Sequence, residues 1–329
     1  MKNKLFSKKN ILSLVLIAVI YAVVQFLMNS GLLSRQLTSV IVPCCYNVIM
    51  AVSLSMIVGV LGELSLGHAA FMSIGAYASA LLTTNTHLPE WLAIPLALLI
   101  GGLAAALLGV VIGVPVLRLK GDYLAIVTLG FGEIIKSIFN FLSVTGGSKG
   151  LSGIPIYTSS DHFLLVYLLT AATVLLVTNL VHSRHGRVFT AIRDNAIAAQ
   201  ATGIPVGTYK TLAFVVSAFF AGIAGVLYAH NIGILKPVNF DYNLSIEILV
   251  MVVLGGMGSI GGSIIAAVVL TLLPELLRSF ADYRMLLYAI VLIALMLFNN
   301  SKLKKNILEK RQLRQAQKPE NQKPEKEAE

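Results

Sequence analysis

The chain has 329 residues, 57% of them hydrophobic and 12% charged, with a formal net charge of +10 and a mean hydropathy of +0.83. Charged residues make up about 25% of an ordinary globular chain, so this composition excludes a soluble domain. The positive charge does not describe a nucleic-acid binder either: residues 1–10 carry four Lys and no acid, residues 301–329 carry nine basic and five acidic residues, and residues 11–300 keep only 12 basic against 10 acidic, too scattered for a phosphate-binding stripe. What remains is an integral membrane protein with solvated ends.

A helix needs roughly 20 apolar residues to cross a hydrocarbon core of about 30 Å. The runs that meet or approach this are, in chain order, 11–28, 39–60, 66–83, 92–116, 123–142, 162–182, 209–231, 243–257, 261–277 and 284–299. The expected fold class is therefore all-α, a polytopic transmembrane helical bundle of about ten spans with broken helices. The count falls to eight if 243–277 folds as a re-entrant pair or single span. The basic residues 1–10 precede the first run, which is too long for a signal peptide, lacks an A-x-A site and is followed by many more spans. Within the second run, Cys44 and Cys45 are adjacent and apolar in context, and are read as packing residues.

Between the second and third runs, Gly62, Glu63, Leu64, Ser65, Leu66, Gly67 and His68 interrupt the apolar pattern. A second interruption runs from Gly255 and Gly256 through Gly258 and Ser259 to Gly262. Backbone freed at such breaks survives in a membrane only where protein buries it or a water-filled cavity borders it, and paired breaks point to a transport path. Close helix packing at small residues is the alternative for both breaks, and is the reading for Gly109-x-x-x-Gly113. In the fifth run, Glu133 and Lys136 stand three residues apart, which places them on one helical face as an ion pair. An isolated charge at a helix centre costs about 2.5–3.5 kcal/mol on insertion scales, so the pair is either structural or part of the solute path. His68 has no second His, Cys or carboxylate at ligand spacing, and no metal site is expected.

The long polar stretch is RHGRVFTAIRDNAIAAQATGI, residues 184–204. Val188, Ile192, Ala196, Ala199 and Gly203 recur at helical spacing, while Arg187, Thr190, Arg193 and Asp194 face elsewhere, which predicts one short amphipathic helix outside the bilayer. An interfacial helix on lipid headgroups is the alternative. The small residues Ala198, Ala199 and Gly203 favour close approach by a partner protein instead. If the ten runs alternate from a cytoplasmic N-terminus, the inside segments 1–10, 117–122, 183–210 and 300–329 hold 19 of the 25 Lys+Arg, so both termini are expected to be cytoplasmic. The chain then divides into a basic N-terminus (1–10), a membrane domain (11–300) with its cytoplasmic loop at 183–208, and a Lys/Glu/Gln-rich tail (301–329) expected to be disordered beside anionic headgroups.

Ala198-Ala199-x-x-x-Gly203 resembles the end of the E-A-A-x-x-x-G pattern of ABC importer permeases, with Ile197 where the Glu would stand. GELSLGHAAFMSIGAYASALL (62–82), RLKGDYLAIVTLGFGEI (118–134), TGGSKGLSGIP (145–155), VLGGMGSIGG (253–262) and LPELLRSF (273–280) resemble, in order, the LivM-type permease subunit of branched-chain amino acid ABC importers. That resemblance implies a LivH-type permease partner, two cytoplasmic ABC ATPases that hold ATP and Mg, an extracytoplasmic solute-binding protein and the cell membrane of a prokaryote. It makes Arg184, Gly186, Arg187, Ile192, Arg193, Asp194, Ala198, Ala199 and Gly203 the candidate ATPase-coupling residues. Candidates for the translocation path are Glu63, Ser65, Gly67, His68, Glu133, Gly255, Gly256, Gly258 and Ser259. The chain has no G-x-x-x-x-G-K-[ST] loop and no catalytic constellation, so it is expected to be no enzyme and to hold no cofactor of its own. The expected activity is translocation of branched-chain or related amino acids into the cytoplasm by alternating access. An ion-coupled secondary transporter using Glu63 or Glu133, or an ABC permease for urea or short amides, is the alternative.

Overall fold

A computed structural model describes residues 8–30, 34–86, 89–119 and 121–278, with a few further positions between Tyr283 and Leu297. The chain divides into two units, Met1–Leu276 and Leu277–Glu329, and every element named below belongs to the first. Half of the predicted tenth span, and all of the predicted disordered tail, lie outside the described residues.

The elements follow the apolar runs. They are α1 (Lys8–Asn29), α2 (Arg35–Ser55) continuing into a π-helical turn (Met56–Leu61), α3 (His68–Asn85), α4 (Glu90–Val116), α5 (Asp122–Phe141), α6 (Phe163–His182), α7 (Arg184–Asp194), α8 (Ala196–Ala201), α9 (Val206–Ile232), α10 (Tyr242–Gly255) and α11 (Ile260–Leu276). Among the described residues, five helical stretches are long and apolar enough to cross a membrane: Arg35–Leu61, Glu90–Val116, Asp122–Phe141, Ser160–His182 and Val206–Ile232. The eighth and ninth predicted spans are shorter, 14 and 17 residues, or roughly 21 and 26 Å at the α-helical rise. They pack against each other across the second glycine break. The only sheet among the described residues is a two-residue ladder, β1 (Leu151–Ser152) antiparallel to β2 (Ile234–Leu235), which ties the α5–α6 connection to the α9–α10 connection.

Lipid tails are as apolar as Leu, so helices in a membrane associate through close packing rather than through exclusion from water. The packing here is close in the literal sense. A Cβ at Gly75 of α3 would lie 2.2 Å from Gly222 O of α9, one at Gly222 would lie 2.7 Å from Gly101 O of α4, and one at Gly225 would lie 2.0 Å from Met72 O. Backbones of α3, α4 and α9 therefore touch directly. Gly109 and Gly113 extend this seam against Ala218 and Phe214, which agrees with their reading as packing residues. α2 is the central helix, with Ile49, Met50, Ala51, Val52 and Leu54 fully buried, and it is packed by α6, α9, α10 and α11. The outward face of α4 (Leu99, Leu103, Leu107, Val110, Val111, Val114) is exposed and apolar, and that of α6 (Leu164, Leu168, Leu176) is so up to Asn179 in its last turn, as a lipid boundary requires.

A side chain at Gly222 would have to displace a backbone carbonyl rather than a flexible neighbour, and overpacking of this sort costs about 1–3 kcal/mol or more. Gly222→Leu should abolish recovery of monodisperse protein in detergent by size-exclusion chromatography. Gly207→Ala, in the same helix with nothing within 4 Å of its Cβ position, should leave recovery unchanged.

Candidate functional site

The polar stretch after α6 forms two helices where the sequence pattern predicts one. Ser183 caps α7, its Oγ accepting from His185 N (3.2 Å) and Gly186 N (3.4 Å). At Asn195 the backbone turns extended (φ −159°, ψ 99°). Its side-chain oxygen accepts from Ile197 N (3.1 Å) and Ala198 N (3.0 Å), so it starts a second helix instead of continuing the first. α8 then ends in a Schellman turn: Ile204 N donates to Ala199 O (3.2 Å) and Gly203 N to Gln200 O (3.0 Å), with Gly203 in the left-handed region at φ +86°. The break splits the expected contact face. Ala199 is turned into the chain and buried, whereas Ile197, Ala198 and Gly203 are exposed. In α7 the buried stripe is Gly186, Phe189 and Ile192 rather than one led by Val188, and Arg184 and Arg187 point outward.

Arg193 does not simply face solvent beside Asp194. Its Nε and Nη2 each lie 3.0 Å from Asp194 Oδ1, and its Nη1 donates to Gly59 O at 3.2 Å. That carbonyl belongs to the π turn, whose wider winding leaves α2 without its regular hydrogen-bond ladder. The turn ends at Gly62 (φ +79°). A Cβ there would meet Arg193 Cγ at 2.5 Å, so the arginine stem lies directly on the break. The next residue, Glu63, is ion-paired with Lys210 near the start of α9, and both side chains are largely buried (14% and 11% exposed).

The rest of the first break is inside the protein. Leu66 N donates to Thr128 Oγ1 (3.0 Å), and a Cβ at Gly67 would lie 2.6 Å from Thr128 O. His68, the first residue of α3, is fully buried, and its Nε2 shares a hydrogen bond with Ser53 Oγ at 2.8 Å. Ser217 Oγ in turn donates to Ser53 O (2.6 Å), and Ala69 N to Ser245 Oγ (3.1 Å). His68 thus cross-links helices, as a packing histidine does, and the described residues contain no group of three or more His, Cys, Asp or Glu that could hold a metal. Among those residues, the buried side-chain atoms without a hydrogen-bond partner are Ser55 Oγ, Ser65 Oγ and His68 Nδ1. Unsatisfied polarity in the core is therefore concentrated around this one break.

The second break folds back onto the first. Gly256 and Gly258 take φ of +92° and +86°, and Ser259 caps α11, its Oγ accepting from Gly262 N at 3.1 Å. Gly255 and Gly262 are in backbone contact. A Cβ at Gly59 would lie 2.4 Å from Gly258 N, and one at Gly258 would lie 3.3 Å from Gly59 O and 4.0 Å from Arg193 Nη1. The two interruptions, about 200 positions apart in the sequence, meet beneath a single guanidinium at the end of α7. Sequence reasoning singled out both breaks and Arg193 but missed Gly59, Thr128 and Lys210. Gly59 and Thr128 sit unremarkably in apolar runs, and Lys210 reads as one more basic loop residue until α9 begins at Val206.

Glu133 is brought to a different place. Its Oε2 accepts from Lys136 Nζ at 2.7 Å, as the spacing predicts, and its Oε1 accepts from Tyr242 N at the start of α10 (3.2 Å). The pair is half-buried on an open face of α5. There Glu133, Ile134, Ser137, Ile138, Phe141 and Leu142 border a groove of about 490 Å³.

Residues 36–298 match the family described as "Branched-chain amino acid transport system / permease component". The chain is 36% identical to the high-affinity branched-chain amino acid transport system permease protein LivM of Salmonella typhimurium, over 90% of this chain and 73% of the relative. It is 37% identical to LivM of Escherichia coli, over 76% of this chain and 65% of the relative. The LivH permease protein of Salmonella typhimurium is 26% identical over 68% of this chain and 78% of its own length. No solved structure matches the chain significantly.

Removing one partner of a buried ion pair leaves the other charge uncompensated, which costs about 3–5 kcal/mol, whereas removing both is often near neutral. Lys210→Met should therefore lower the thermal unfolding midpoint of the detergent-solubilised protein by many degrees. The double variant Glu63→Gln/Lys210→Met should recover most of that loss in the same melting experiment.

Proposed function

This chain belongs to the branched-chain amino acid transport system permease family, and we propose that it is the LivM-type membrane subunit of an ATP-driven importer that carries branched-chain amino acids into the cytoplasm. Its partners in this reading are a LivH-type permease, two cytoplasmic ATPases that bind ATP and Mg, and an extracytoplasmic solute-binding protein. It does no bond chemistry itself, and its sequence has no phosphate-binding loop. The placement of 19 of 25 Lys+Arg on one set of connections supports a multi-pass protein of a prokaryotic cell membrane with both termini and the α7–α8 loop in the cytoplasm.

The observation that carries the mechanism is the seat of α7. A partner that pulls or pushes on α7 acts through Arg193 on Gly59 O, on Gly62 and on the Gly258 turn together. These are places where the helical ladder is already interrupted, so the spans can tilt about them without breaking regular hydrogen bonds. ATP binding and release in the ATPases would bias two arrangements of this junction and open the path to one side at a time. The exposed residues Arg184, Arg187, Ile197, Ala198 and Gly203 form the docking surface, while Ala199, Ile192 and Gly186 transmit the load inward. Ion-coupled transport is the weaker reading, because the carboxylates that would take a proton or sodium ion, Glu63 and Glu133, are each already paired with a lysine.

Two variants separate docking from transmission. Ala198→Arg enlarges an exposed surface position and should abolish co-purification with the ATPases together with ATP-dependent, vanadate-sensitive leucine uptake in proteoliposomes. Arg193→Ala should keep the ATPases bound and lower uptake more than tenfold. Full uptake in both variants would overturn the assignment of α7–α8 as the coupling element.

A further inference from the structure

The stretch TGGSKGLSGIP, residues 145–155, takes no part in the coupling loop or in either break. It supplies one strand of the β1–β2 ladder, which joins the connection before α6 to the connection after α9. The α7–α8 loop joins the other ends of those two helices, so the ladder lies a full span away from it. Its shape is tightly held. A Cβ at Gly146 (φ +79°) would lie 2.1 Å from Gly150 O, and one at Gly150 (φ +84°) would lie 2.2 Å from Leu235 O. Thr145 is buried with its Oγ1 2.8 Å from Phe139 O of α5, and Tyr77 of α3 donates its hydroxyl to Leu235 O at 3.4 Å.

Two lysines stand on this platform. Lys149 precedes Gly150, and Lys236 lays its stem against the same glycine, its Cγ 3.1 Å from where a Cβ would be. Both are exposed, and neither is ion-paired among the described residues. Basic residues resist translocation, and 19 of the 25 Lys+Arg fall on the α7–α8 side when the runs alternate. Two lysines at the opposite end therefore leave a positive charge that only a group outside the chain compensates. Beside them Val144, Ile234 and Val238 are exposed (66%, 45% and 65%), giving the mixture of aliphatic and charged side chains that protein interfaces carry. A lipid anchor would use Trp or Tyr at headgroup level, whereas residues 143–156 and 234–239 contain no aromatic residue.

We propose that the β1–β2 platform is the surface on which the soluble solute-binding partner docks, with carboxylates of that partner meeting Lys149 and Lys236 and an apolar patch covering Val144, Ile234 and Val238. The proposal rests on the transport reading above, which places this end outside the cytoplasm, and it names the surface that reading lacks. Complementary charge of this kind steers the encounter and sets its orientation. The platform is also joined to the rest of the mechanism by covalent chain. β2 runs straight into a short helical turn, Pro237–Phe240, whose Pro237 and Phe240 are buried, and then into α10, which ends at Gly255 in the break that meets Arg193. A protein seated on the lysines thus bears on the same helix that reaches the α7 junction.

The test uses the complete assembly in proteoliposomes, this chain with its permease and ATPase partners, and adds purified, leucine-loaded binding protein. The readout is ATP hydrolysis with binding protein relative to hydrolysis without it. K149E/K236E should lower that stimulation at least tenfold, and K149R/K236R should keep it. Salt supplies a readout that misfolding would not reproduce. Near 1 M, where the Debye length is about 3 Å, the binding-protein concentration giving half-maximal stimulation should rise several-fold for the wild type and stay constant for K149Q/K236Q. Both measurements are made in phosphatidylcholine vesicles and in vesicles that also contain phosphatidylglycerol. A difference between wild type and variants that is confined to the anionic vesicles assigns the lysines to lipid and overturns the proposal, as does full stimulation of K149E/K236E. A wild-type assembly that the binding protein fails to stimulate overturns the transport reading instead.

Discussion

Direct backbone contact among α3, α4 and α9 is the constraint on which the remainder of the bundle depends. Gly75, Gly101 and Gly222 bring three helices to a separation that no other residue type allows, and in lipid this dispersion-driven closeness replaces the hydrophobic effect as the source of cohesion. With that seam closed, α2 is enclosed from the other side by α6, α10 and α11. Its C-terminal end is then delivered to the junction at a defined place. The broken segments owe their positions to a rigid neighbour, since a glycine break surrounded by mobile helices would have no reason to stay in one geometry.

Polar groups in the interior follow the same economy of contact. Ser53, His68 and Ser217 sit on three different helices and are joined by short hydrogen bonds, and Ser245 of a fourth helix accepts from Ala69 N beside them. Ser73 and Ser79 bond back to carbonyls three residues earlier and so spend their hydroxyls within their own helix. The first group ties helices together, and the second merely makes a hydroxyl tolerable in an apolar setting. Glu63–Lys210 and Glu133–Lys136 divide in the same way by location: one is enclosed where α7 meets the spans, whereas Glu133 of the other borders an open groove.

Much of the fold was legible because a membrane leaves few options: runs near 20 apolar residues become helices, and the first nine runs did so with ends shifted by only a few residues. The Glu133–Lys136 pair was legible because its partners are local. What the sequence pattern could not supply was contact between distant segments. Nothing in the apolar context of Gly59 distinguishes it from Gly113, yet one accepts a hydrogen bond from Arg193 and the other packs against Phe214. The split at Asn195 was missed for a different reason. Apolar periodicity runs across residues 184–204 without a gap, and the competing signal, an amide side chain able to cap the following turn, is a single residue. Capping chemistry outranked periodicity there and turned Ala199 away from the face it was expected to share with Ala198.

The π turn at Met56–Leu61 changes how the second span should be read by any residue-by-residue probe. Each residue of an α-helix advances the azimuth by roughly 100°, and a π turn takes one residue more to come around. Positions after Ser55 are therefore out of phase with those before it. A scan of labels or substitutions along this span, interpreted with one helical wheel, would assign Val58 and Val60 to faces they do not occupy. Two wheels joined at Ser55 are needed, and the step between them is the offset that turns Gly59 O toward Arg193.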